Sequence, residues 1–231
     1  MESTTRYAPV LLVMGIQNDI AKEMHTERLN TLQILTEKIR YAEANDWLVV
    51  YSLELHHARH FSFRSQGGSL PPHCVIETWG SYLAVKISRK NLNCDQVLRG
   101  LDIHGDSNDA FYTTKHVSSV SHLEFEPARQ EYSHLKKILD NYSARMTSFG
   151  ATQKTLLLLI CGISCFYPAI PNVIHETAIT ASLLGYKTLV IKDAQFVALM
   201  SECQDKPELT SEQESLDARC WDEILEMISD S

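Results

Sequence analysis

The feature that most limits how this chain folds is a series of short, unbroken apolar runs. Segments 10–14, 47–52, 110–114, 155–161 and 187–192 read as strands, and several are apolar on successive residues. A strand with one wet face alternates apolar and polar residues. One that is apolar throughout is buried on both faces, as in a parallel sheet covered by helices. Helical patterns separate the runs. Residues 28–43 set Leu29, Leu32, Leu35 and Ile39 at helical spacing, and Pro127 opens a helix with Tyr132, Leu135, Leu139 and Tyr142 on one stripe. A third helix, 172–184, is stopped by Gly185, and Ser211 with Glu214 makes a capping box for a last helix bearing Leu216, Ile224, Leu225 and Ile228. The alternation predicts an α/β fold: a doubly wound, mostly parallel sheet of about six strands flanked by helices. Residues 1–231 form one domain in this reading, with irregular insertions at about 84–109 and 198–212.

Composition narrows the function classes. A formal net charge of −8, with no run of Lys or Arg, argues against a nucleic-acid partner. The longest apolar run, from Leu156, is too short and interrupted to span a bilayer. The first residues lack the basic start and apolar core of a secretory signal. The six cysteines show no metal-finger spacing and read as reduced thiols, so the expected location is intracellular, cytoplasmic or organellar.

In a doubly wound sheet, ligands bind beyond the carboxyl ends of the strands. The first such end reads LLVMGIQNDI: the apolar run stops at Gly15, and Gln17, Asn18 and Asp19 follow. The second reads SLELHHARHFSF and continues to LPPHCVIETWG, which puts Glu54, His56, His57, His60 and His73 within twenty residues. A carboxylate with two or three imidazoles suits a divalent transition ion, Zn or Fe. Glu54 and His56, two apart, point to the same side of an extended segment. No nucleotide cofactor is expected.

These stretches resemble, in order, the motifs of the isochorismatase-like hydrolases, nicotinamidase branch. GIQNDI, SLELHHARHFSF and LPPHCV are similar to the family's first-strand, metal-loop and His-Cys-Val segments. FYTTKH resembles the lysine segment, LLLLICGIS the fourth strand, and ETAITASLLGYKTLVIKDA the closing helix and strand. The resemblance implies metal ligands at Glu54, His56 and His73, with His60 as a fourth. Glu54 stands where the family has aspartate. It also implies a ligand pocket near Gln17, Asp19, Ile20 and Trp79.

The family's reaction joins an aspartate base, a lysine and a cysteine nucleophile at a helix N-terminus, because a thiol needs a base and a helix dipole to ionise near neutral pH. Lys115 is retained. The aspartate position holds Gly15. The cysteine position falls on Pro168 counting forward from Gly162, or on Val173 counting back from Thr177. Cys165 lies nearby but earlier in the chain. Glu77 replaces a family glycine. The expectation is a catalytically inactive relative, a pseudoenzyme, with an interaction or structural role and protein partners or a homo-oligomeric assembly. Two alternatives stand beside it: an amide hydrolase converting nicotinamide to nicotinate and ammonia with Lys115 and a displaced Cys165, and a metal-containing module that binds a small ligand.

Overall fold

The computed structural model of the chain describes residues 6–68, 70–85, 94–99, 134–148, 154–166, 172–199 and 217–230. Six strands, β1 (Tyr7–Met14), β2 (Leu48–Glu54), β3 (Cys94–Arg99), β4 (Thr155–Phe166), β5 (Lys187–Leu199) and β6 (Ala218–Arg219), make one sheet in the order β3-β2-β1-β4-β5-β6. Every neighbouring pair is parallel. β1 is central, and all of it after Tyr7 is buried, which is why its sequence shows no alternation.

Among the described residues, five α-helices accompany the sheet: α1 (Asn18–Ala21), α2 (Arg28–Ala44), α3 (His134–Ser148), α4 (Val173–Leu183) and α5 (Trp221–Ser229). Successive strand residues serve opposite faces of the sheet. Leu11, Val13, Val49, Tyr51 and Leu159 pack with Leu35 and Ile39 of α2 and Ile224 of α5. Val10, Leu12, Val50, Leu158 and Ile160 pack with Leu135 and Leu139 of α3 and Ile174 and Ala178 of α4. Each Leu or Ile so buried contributes about 1.5–3 kcal/mol.

Three expectations change. The segment 84–109, expected to be irregular, contains β3, which continues the sheet beside β2. As the terminal strand among the described residues it has one partner, so Cys-Asp-Gln-Val-Leu-Arg lacks the apolar run that marks the others. β4 and β5 outrun the lengths expected, β5 reaching Leu199 inside the second expected insertion. The last helix starts at Trp221, not Ser211: residues 218–219 pair with β5, and Val190 N donates to Asp217 O at 3.1 Å. Its capping box is Cys220 with Glu223. Ser211, Glu214 and Leu216, like Pro127, Tyr132 and the strand expected at 110–114, lie outside the described residues.

Gly162 sits within β4, where the register with β5 shifts between Ile160 and Gly162. Its φ is +138°, and a Cβ there would run into the Met14 backbone. Only glycine lets β4 pass this close to the end of β1.

Candidate metal centre

β2 delivers Glu54 to the carboxyl edge of the sheet, and the chain beyond it is held by a second segment. His56 N donates to Cys74 O at 3.1 Å and Ile76 N to His56 O at 3.0 Å, a short parallel bridge that lays residue 56 beside residue 75. Glu54, His56 and His73 thereby offer ligand atoms that all lie within 4.8 Å of one another. His56 Nε2 is 2.8 Å and His73 Nε2 3.1 Å from the same oxygen, Glu54 Oε1. Both imidazoles are buried, while the Glu54 side chain is about one-fifth exposed.

The donor set fits a divalent transition ion: one carboxylate oxygen and two imidazole nitrogens converging at a strand end. His73 Nδ1 donates to Pro71 O at 2.9 Å, which leaves Nε2 to face the cluster, the outer hydrogen bond expected of a metal-binding histidine. His56 Nδ1 is buried and has no hydrogen-bond partner among the described residues. Burial by itself would lower the His73 pKa. The hydrogen bond to Glu54 and its charge, then the Pro71 carbonyl and Asp19, carry it above the ordinary value. His60 stands beside the three, its ring centroid 4.4 Å from that of His56 and its Nδ1 2.6 Å from Ser62 Oγ. Phe63, fully buried, packs its ring about 5.5 Å from those of His60 and His73. Its place in the His-x-Ser-Phe stretch is the one sequence signal that could have singled it out.

The pocket residues expected after β1 are occupied with holding the scaffold. Gln17 is fully buried. Its Nε2 donates to Glu54 O at 2.7 Å and Ser81 O at 2.8 Å, and its Oε1 accepts from Glu54 N at 2.6 Å. Asp19 accepts from Cys74 N at 2.8 Å and pairs with Lys22 at 2.8 Å. Ile20 lies in the core, and Trp79 is 57% exposed with the Arg28 guanidinium 5.9 Å over its ring.

The neighbouring end of the sheet differs. Gly15 follows β1 at φ +63° and has no side chain to present. α4 begins at Val173 and ends at Leu183, within the helix expected over 172–184. Asn172 caps it, its Oδ1 accepting from Ile174 N at 3.0 Å and His175 N at 3.4 Å. Cys165 belongs to β4, registered with Ala198 of β5, and precedes the helix. Lys115 and Pro168 lie outside the described residues. Cys161 is fully buried, and burial pushes its thiol up to about 12. Glu77 adopts φ +63°, the left-handed region that favours the glycine the family pattern has there.

No protein-family model matches the chain. It is 26% identical over 215 residues to the nicotinamidase of Saccharomyces cerevisiae, an alignment covering 79% of this chain and 85% of that protein. The crystal structure of the yeast nicotinamidase bound to the inhibitor nicotinaldehyde matches with a TM-score of 0.57 and 20% identity, over 92% of this chain and 99% of that one. Pyrazinamidase of Pyrococcus horikoshii in complex with zinc matches at TM-score 0.54 and 18% identity over 96% of each chain. An isochorismatase family protein of Desulfovibrio vulgaris matches at 0.52 and 15%, over 96% and 98%.

Proposed function

We propose that this homologue of nicotinamidase, built on the isochorismatase-like fold, keeps the metal centre but has no thiol-dependent hydrolytic activity. The observation that carries the reading is the start of α4. A nucleophile there would need a thiol at the first helical position and free backbone N–H groups to hold an oxyanion. Val173 occupies the position, and the Asn172 side chain takes up the N–H groups of Ile174 and His175. Gly15 adds a second loss, since no base stands at the end of β1 to take a proton. Loss of one member of such a unit lowers rate by about 10⁴–10⁶.

Glu54, His56 and His73 are the residues that would hold the ion. A zinc ion bound by three protein ligands keeps a position for an outside nitrogen or oxygen donor and polarises the group it binds. The protein's role is then to present a metal and a surface, to a small ligand or a protein partner, without turning the ligand over.

The test is ammonia release from nicotinamide by the purified, zinc-supplemented chain, beside Cys165→Ala and Lys115→Ala. The expected result is no release above a zinc-only control. Release that disappears in both variants would overturn the reading and make Cys165 a displaced nucleophile.

A further inference from the structure

We infer that the turn after β1, through Gln17 and Asp19, positions the metal ligands: its side chains grip the backbone beside all three. The inference rests on the proposed metal centre. Gln17 forms three hydrogen bonds through one amide. Two close on the Glu54 peptide groups, Nε2 to O at 2.7 Å and Oε1 from N at 2.6 Å, and the third ties the pair to Ser81 O. Glu54 is the last residue of β2; β3 still pairs with it through Arg99 on one side, but the β1 ladder ends at Met14 and Ser52, so on that side the Gln17 amide takes the place of a strand neighbour.

Asp19 acts on the other two ligands through Cys74. Cys74 has φ +46°, a left-handed conformation that strains a non-glycine residue, so something must hold it. Asp19 Oδ2 accepts its N–H at 2.8 Å. That N–H belongs to the peptide following His73, and the Cys74 carbonyl accepts from His56 N. One residue thus lies between the two imidazole ligands, and Asp19 fixes it. Gly80 backs the arrangement from the far side: a Cβ there would run into the Asp19 carboxylate. The polar cluster of the turn therefore has a use although Gly15 beside it presents no side chain.

The test is the zinc dissociation constant of the full chain, by competition with a chromogenic chelator, with the visible spectrum of the Co²⁺-loaded protein as a report on ligand geometry. Gln17→Ala and Asp19→Ala are each expected to weaken zinc binding by about tenfold or more, the usual range for a residue that orients a ligand. Gly80→Ala, which displaces the carboxylate without removing it, is expected to do the same and to alter the Co²⁺ spectrum. Asp19→Asn retains an acceptor for Cys74 N, and Lys22→Met removes only the other oxygen's partner. Both are expected within about threefold of the parent, on the same scale. If an alanine variant at 17 or 19 does not fold, the contrast between Gly80→Ala and Asp19→Asn decides. Parental affinity in the folded Gln17, Asp19 and Gly80 variants overturns this inference alone. A parent chain that binds no zinc removes the metal centre and the inference with it.

Discussion

Two neighbouring ends of the same sheet have fared differently. Beyond β2, a glutamate and two histidines converge as candidate metal ligands, and Pro71, Gln17 and Asp19 hydrogen-bond to them or to the backbone beside them. Beyond β1 and before α4, Gly15 and Val173 offer neither base nor nucleophile, and Asn172 closes the helix end. Both regions are well packed. What separates them is chemistry: among the described residues the first has converging donors, whereas the second has a backbone path, held by Gly162 against Met14, without them. Under the proposed reading the scaffold outlives its reaction, because packing and turn geometry depend on residues other than those that react.

The contrast can be broken most directly at its first term. Glu54→Ala takes away the carboxylate both imidazoles face. Zinc affinity, measured by titration calorimetry, is expected to fall by more than the tenfold or so typical of an outer residue. Parental affinity would leave the cluster without a role in binding. At the second term, Gly162→Ala is expected to cost about 1–3 kcal/mol through strain, and more once the Met14 clash is added, as a lower urea midpoint. An unchanged midpoint would show that β4 can withdraw from β1.

Smaller effects sharpen the comparison. Asn172→Ala should cost about 1 kcal/mol as a lost cap. It should not create ammonia release, because the N–H groups it frees still lack a thiol. Glu77→Gly should raise stability by about 1 kcal/mol, since glycine adopts φ +63° without the Cβ penalty. A loss instead would mean that the Glu77 side chain contributes more than its backbone costs.

Cys161 gives a pH test of burial at the same sheet. Its thiol is raised to about 12, so its contribution to stability is present in full below the unfolded thiol value of about 9 and is lost as pH rises toward 12. Urea midpoints measured from pH 8 to 11 should therefore fall more steeply in the parent than in Cys161→Ala. Equal slopes would place Cys161 in contact with water.

The sequence by itself determined the α/β class, the parallel central strands and a cluster of candidate donors, Glu54, His56, His57, His60 and His73, because apolar runs and donor types are local properties; the family resemblance singled out Glu54, His56 and His73 among them, with His60 as a fourth. α2 was legible from the helical spacing of Leu29, Leu32, Leu35 and Ile39, and α4 as the helix over 172–184 stopped by Gly185. β3 was not, since a strand with one described neighbour needs no apolar run, and the start of α5 was not, since residues 218–219 pair with β5 immediately before it. Only the tertiary structure decided what the turn after β1 does. Gln17 and Asp19 read as pocket residues when only their polarity is known. Their partners, Glu54 and Cys74, are distant in sequence, and a hydrogen bond between distant segments exists only once β1 and β2 lie side by side.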